Sequence, residues 1–318
     1  MITPRPNGRY MVSTITARKN SPLRFKPLTL DDVSLVRSML AFSGSRTCDF
    51  SIGGIYMWID YFDYTYCIFN DTLFIKGVTE DDVTRPAFSL PVGKMGLEES
   101  VGLLADFCDS KRMDLQFSAV PEDALPALRC LGSIREEQLK DWSDYLYSAE
   151  ALATLSGKKL SKKRNHVNRF MADNPDYTFK PLTAELIPDI KEFFNATHLP
   201  LSKPAIADIE REQVKLVLNN LDRYPFEGAV LSTPTDGIVA FTIGEVLNDT
   251  LHVHIEKMNH EIPGAGETIN KLFAEMMLSR HPEIIYINRQ EDVGDPSLRY
   301  AKESYHPITL LNKYNVTF

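Results

Sequence analysis

The pentapeptide Phe-Lys-Pro-Leu-Thr occurs twice in this chain, at residues 25–29 and again at residues 179–183. The surroundings repeat with it. Behind the first copy Val33, Val36, Met39 and Leu40 are apolar, and 154 residues later Ile187, Ile190, Phe193 and Phe194 stand in the same register. Apolar residues at i, i+3, i+6 and i+7 mark one face of an amphipathic helix. Each copy therefore predicts a strand, a proline turn, a threonine N-cap and a helix. A start repeated at about half the chain length predicts two copies of one domain, residues 1–147 and 148–318. Function then has to lie in what the copies do not share.

At 318 residues, with 43 % hydrophobic and 25 % charged side chains, the chain has room for two ordinary cores. It holds no apolar run long enough to span a bilayer, and residues 1–19 are polar, so a cytoplasmic protein without an integral membrane segment is expected. Cys48, Cys67, Cys108 and Cys130 lack Cys-x-x-Cys spacing and read as free thiols of a reducing compartment. The net charge of −8 argues against a protein that coats nucleic acid nonspecifically. One segment runs against that balance. Lys158, Lys159, Lys162, Lys163, Arg164 and Arg169 crowd into twelve residues with His166 and no acid. A solvated helix face accounts for such a cluster, and so does a phosphate-binding surface.

In the first half the pattern gives a hairpin at 65–69 and 72–76 around Asn70-Asp71, then a strand at 88–92. A helix at 97–110, a strand at 114–120, a short helix at 121–131 and a strand at 144–147 follow. The second half predicts a strand at 177–180, helices at 183–195 and 205–221, and strands at 229–232, 238–246 and 250–258. It ends with a helix at 267–279, a strand at 284–288, a helix at 296–304 and a closing strand at 306–314. Residues 148–174 between the halves read as helical apart from Gly157. This order is that of the acetyltransferase-like (GNAT) fold. The expected class is α+β: tandem GNAT-like domains with mixed, mostly antiparallel sheets flanked by helices. A fold match alone carries little function.

Three places carry candidate chemistry. The first is Pro263-Gly264-Ala265-Gly266 at a helix start, which has the glycines of a pyrophosphate cradle. Glu261 stands where such enzymes usually carry Arg or Gln, and Pro263 removes a donor, so coenzyme A ranks second as donor. The second is the polar run from Asn288 to Asp295, holding Arg289, Gln290, Glu291 and Asp292 after a hydrophobic strand, where open sheets place ligands. The helix behind it presents Arg299, Lys302 and Glu303, with Tyr300 where several such enzymes keep a tyrosine acid. The third is the strand 250–258, on which His252, His254 and Glu256 share a face. Such a triplet can bind metal but is more often a satisfied polar stripe, and no metal is expected. Glu256 is placed to deprotonate an attacking group.

Several motifs together resemble one family. They are Leu155-Ser156-Gly157-Lys158-Lys159 with residues 162–166 and Phe170, then His254-Ile255-Glu256-Lys257, then Asn288-Arg289-x-Glu291-Asp292-x-Gly294, and Leu298-Arg299-x-x-Lys302-x-Ser304-Tyr305-His306-Pro307. The chain is similar to an uncharacterised bacterial group related to the C-terminal domain of phosphatidylglycerol lysyltransferase. The Fem peptidyltransferases share that tandem fold, and both take aminoacyl groups from charged tRNA. The resemblance implies an aminoacyltransferase with aminoacyl-tRNA as donor, acyl-CoA as the alternative, no bound cofactor, and a small-molecule, peptide or lipid acceptor. A non-catalytic ligand-binding protein is the reading from another class. Against that family pattern the chain is expected to lack the membrane-spanning half that delivers lipid, which weighs against a lipid acceptor. The implied catalytic residues are Glu256, Asp292, Lys302 and Arg299; Glu256 or Asp292 would take the proton while Lys302 or Arg299 stabilises the oxyanion. His254, Asn288, Arg289, Glu291 and Tyr305 would bind substrate. Lys158, Lys162, Lys163 and Arg164 would hold tRNA phosphates.

Overall fold

In the computed structural model, which describes residues 21–197 and 206–318 and the paired strands Thr3–Pro4 and Tyr10–Met11, the repeated pentapeptide folds twice the same way. Lys26–Pro27 and Thr178–Pro181 each form the outer strand of a sheet. Thr29 and Thr183 are both extended, and each opens a 3₁₀ turn that runs into a helix, Val33–Leu40 and Ile187–Thr197. At the first copy the Asp32 carboxylate accepts from both the N–H (3.0 Å) and the hydroxyl (2.8 Å) of Thr29. The apolar faces then bury Val33, Val36 and Leu40 in one case and Ile190, Phe193 and Phe194 in the other.

The chain forms two compact units. The first comprises Met1–Ser45, Trp58–Ser143 and Leu311–Phe318; the second comprises Arg46–Met57 and Asp144–Leu310. Each holds a sheet in which antiparallel strands lead to a parallel pairing, Pro86–Phe88 beside Gln116–Pro121 and Thr250–Met258 beside Tyr286–Asn288. The mixed sheets and flanking helices are those of a GNAT-like α+β fold. The halves expected at 1–147 and 148–318 differ from these units in which strands they own. Asp144–Ser148 pairs with Tyr286–Asn288 in the second unit, and Lys313–Thr317 lies between Gln116–Pro121 and Arg135–Gln138 in the first. The closing strand expected at 306–314 is accordingly two strands, Thr309–Leu311 and Lys313–Thr317, in different sheets.

In the first unit the hairpin turns through Asn70 (φ 48°) and Asp71 (φ 53°), the left-handed pair that matches strand twist. Phe74, Phe88, Leu104, Phe117, Leu128 and Val316 fill its core. In the second unit the seven-stranded sheet packs Leu231, Ala240, Leu251 and Ile287 against the helix Ala265–Arg280, which contributes Ile269, Phe273 and Met277. The segment 148–174 is two helices, Ala149–Thr154 and Ser161–Asp173. Left-handed Leu155 and Gly157 break it. Val167 and Phe170 of the second helix are buried in the same core. The helix expected at 205–221 is Ile206–Asn219. Its expected first residue, Ala205, and the polar stretch 1–19, apart from the two short strands, fall outside the described residues.

Candidate functional site

The strand Thr250–Met258 runs parallel to Tyr286–Asn288 for only three pairs, Thr250 with Tyr286, Leu251 with Ile287 and His252 with Asn288. Beyond them the backbones part, and side chains bridge the opening instead. Arg289 Nη2 donates to Glu256 Oε1 at 2.7 Å, and Gln290 Nε2 donates to His254 Nδ1 at 2.9 Å. From the helix, Asn270 Nδ2 donates to Glu256 Oε2 at 3.0 Å. The sheet is thus opened at the place where its polar residues meet.

Behind Glu256 lies a buried polar chain. Pairing shifts between Ile243 opposite Ile255 and Gly244 opposite Val253, so His254 is the added residue of a bulge. Gln290 Nε2 can only donate, which fixes His254 as the tautomer protonated at Nε2. That nitrogen donates to Glu245 Oε1 at 2.9 Å, with both side chains fully buried. Burial opposes ionisation of Glu245, but the His254 hydrogen bond and the Gly53 N–H at 2.8 Å outweigh it and hold the carboxyl below its usual range. Gly53 is required here: a Cβ would stand 2.3 Å from the His254 ring.

The loop after Asn288 is held from below by Lys302. Its ammonium donates to the carbonyls of Arg289 (2.7 Å), Gln290 (3.2 Å) and Glu291. Burial pushes its pKa down to about 8. All three N–H groups serve the backbone, so Lys302 shapes the loop. Asp292 is similarly engaged. It accepts from Tyr145 Oη (2.6 Å), from Arg299 Nε and Nη2 (2.8 Å each) and from the Gly294 N–H (2.9 Å). Burial works against its ionisation, yet the Arg299 and Tyr145 bonds keep the carboxyl below its usual range. Asn288 donates to Asp144 Oδ2 (2.7 Å), which also accepts from the Cys48 N–H (2.6 Å). Glu291 Oε2 lies 3.4 Å from Cys48 Sγ. Donor atoms of Cys48, Asp49 and Asp144 lie within 4.8 Å of one another and are the one such group among the described residues; His252, His254 and Glu256 do not form one.

Of the expected catalytic residues, Glu256 is the one whose partners line the opening between the strands. Arg289 sits 4.7 Å from the centroid of the Tyr305 ring, and Lys163 Nζ lies 4.2 Å from the same centroid. Although burial works against its charge, Arg289 is held protonated by Glu256 and the surrounding tyrosines. Tyr300 is largely exposed and does not reach this cluster.

The basic segment divides. Lys158, Lys159 and Lys162 are exposed, whereas Arg164 Nη1 donates to the carbonyls of Leu155 (2.5 Å) and Gly157 (3.2 Å). Lys163 donates to Glu267 at 3.2 Å. Glu267 occupies the first turn of Ala265–Arg280, where a pyrophosphate would need open N–H groups. Gly264 (φ 83°) is packed so closely under the same basic helix that a Cβ would meet the His166 carbonyl at 2.6 Å. Sequence reasoning missed Glu245, Asn270 and Asp144 as site residues. A signal existed for Glu245, the one acid inside the apolar strand Gly237–Leu247. Asn270 gave none.

Residues 40–317 match the family described as phosphatidylglycerol lysyltransferase, C-terminal, and the chain belongs to it. The family is one of acyltransferases. A conserved protein of unknown function from Bacteroides thetaiotaomicron is 30 % identical, with a TM-score of 0.84 over 93 % of this chain and 99 % of that one. The C-terminal domain of a putative lysylphosphatidylglycerol synthetase from Agrobacterium fabrum shares the fold at 16 % identity, TM-score 0.61, over 90 % and 91 % of the two chains. FemX shares it at 10 % identity, TM-score 0.57, over 92 % and 96 %. An uncharacterized protein of Mycoplasmoides gallisepticum is 24 % identical over 55 % of this chain; the match spans 56 % of that relative's length. Among the described residues no helix is long and apolar enough to cross a membrane.

Proposed function

We propose that the second unit transfers an aminoacyl group from aminoacyl-tRNA to an amine or hydroxyl acceptor. The acceptor attacks the ester carbonyl, a bond forms to that carbon, and the bond to the tRNA 3′ oxygen breaks. Glu256 takes the acceptor's proton and returns it to the leaving hydroxyl. Arg289 and Asn270 hold that carboxylate in place, while Asp292 and Lys302 keep the loop in shape.

One observation carries the choice of donor. The helix start that would cradle the pyrophosphate of coenzyme A carries its own carboxylate, Glu267, and lies against the His166 carbonyl. Beside it the turn leading into the basic helix presents Lys158 and Lys159 to solvent, and the first turn of that helix presents Lys162. A polynucleotide uses such a surface and needs no pyrophosphate cradle. Filter binding of purified tRNA at two salt concentrations tests this. Binding that falls steeply with salt supports the reading; absence of salt-sensitive binding refutes it and returns acyl-CoA as the donor.

A further inference from the structure

Most polar groups around Glu256 are paired; among those that are not, two sit on the side chains that hold its carboxylate. Arg289 Nη1 and Asn270 Oδ1 are buried and find no hydrogen-bond partner among the described residues. Each belongs to a side chain that already holds the Glu256 carboxylate, through Arg289 Nη2 at 2.7 Å and Asn270 Nδ2 at 3.0 Å. Leaving such atoms unsatisfied is costly, so a folded protein keeps them where something else completes them. Asn270 is only 4 % exposed. Glu256 and Arg289 each keep 12 % of the side chain exposed, so the cluster reaches the surface of the unit at the opening between the strands. The unmet capacity is the two N–H groups of Arg289 Nη1 and the Asn270 Oδ1 acceptor. It contains no unpaired charge, because the Glu256 carboxylate and the Arg289 guanidinium neutralise each other.

Resting on the aminoacyl-transfer reading, we infer that these two atoms recognise the head group of the transferred amino acid. Arg289 Nη1 donates to the acyl carbonyl oxygen and stays on it as that oxygen becomes an oxyanion. Asn270 Oδ1 accepts from the α-amino group. The pair therefore reads the part common to all aminoacyl groups, and Asn270 rejects acyl groups that lack an α-amine. An acetyl group would leave Asn270 Oδ1 unpartnered, and the discrimination follows from that.

Two probes differ only at the recognised group: glycinamide, and propionamide, which has a methyl where glycinamide has the amine. With the intact chain, glycinamide should bind about tenfold more tightly than propionamide by calorimetry, the worth of one hydrogen bond. Asn270→Leu should abolish that preference, so that the two amides bind alike. Thr268→Val, which removes another buried hydroxyl without a partner on the same helix, should leave both affinities alone. Equal affinity of the wild type for the two amides, or no binding of glycinamide at any concentration reached, overturns the inference. A preference that survives Asn270→Leu overturns it as well. Salt-dependent tRNA binding, measured on the same samples, separates the two levels: tRNA binding without amine preference sinks only the head-group reading, and loss of both sinks the function with it.

Discussion

Replacing Lys302 by methionine distinguishes a lysine that shapes the loop from one that touches substrate. The methionine keeps most of the apolar stem and deletes the ammonium that serves the carbonyls of Arg289, Gln290 and Glu291. Three buried acceptors at roughly 2 kcal/mol each come to about 6 kcal/mol gross. Against this stands the cost of burying the charge. In the unfolded chain Lys302 keeps its proton up to about 10.5 and in the fold only to about 8, a difference worth roughly 3.4 kcal/mol. Near neutral pH the variant should therefore be less stable by about 2–3 kcal/mol. Between those two pH values the unfolded chain binds more protons than the folded one, so unfolding free energy rises with pH and the wild type should gain on the variant. Both tryptophans, Trp58 and Trp142, lie in the first unit. The readout should instead be amide exchange across residues 289–291, with urea unfolding by circular dichroism. Exchange there should quicken and transfer should fall together. A variant as stable and as protected as wild type, yet inactive, refutes the reasoning and makes Lys302 a group that acts on substrate.

Glu245→Gln should cost stability only where the carboxylate is ionised. Its pKa is depressed in the fold, so its contribution is present above about 4.5 and disappears as pH falls through the lower folded value; parallel urea melts from neutral to acid pH should converge. Gly53→Ala should destabilise the second unit by about 1–3 kcal/mol, since its Cβ would sit 2.3 Å from the His254 ring, and a wild-type melting temperature would show that the segment yields freely. Changing Lys158, Lys159 and Lys162 together to glutamine should flatten the salt dependence of tRNA binding by up to about one counterion per lysine at unchanged stability. Arg164→Gln should do the opposite, lowering thermal stability because its guanidinium holds the Leu155 and Gly157 carbonyls; a stable Arg164→Gln with weakened tRNA binding would contradict that assignment.

The fold was legible where local pattern and tertiary packing ask for the same thing. Thr29 and Thr183 stand extended at the N-cap positions because an extended threonine before an amphipathic run has few alternatives, and the positive φ of Asn70 and Asp71 follows from the residues themselves. The exchange of closing strands was not legible. Asp144–Ser148 and Lys313–Thr317 read as strands in either place, and which sheet each joins depends on neighbours far along the chain. The site divided in the same way. Glu256, Arg289 and Asp292 announced themselves as charges beside a buried strand, but charge did not reveal its partner. Asp292 and Lys302, read as reacting groups, have their bonds within the protein, whereas Asn270, one uncharged amide inside a helix, keeps an open acceptor next to Glu256. Such a role is fixed by what a side chain lacks after folding, and no pattern along the chain encodes it. The basic helix shows the same limit from the other side. Six positive charges looked like one surface, but the period of a helix turns Lys163 inward to Glu267 and the break at Gly157 draws in Arg164, while Lys158, Lys159 and Lys162 remain turned to solvent.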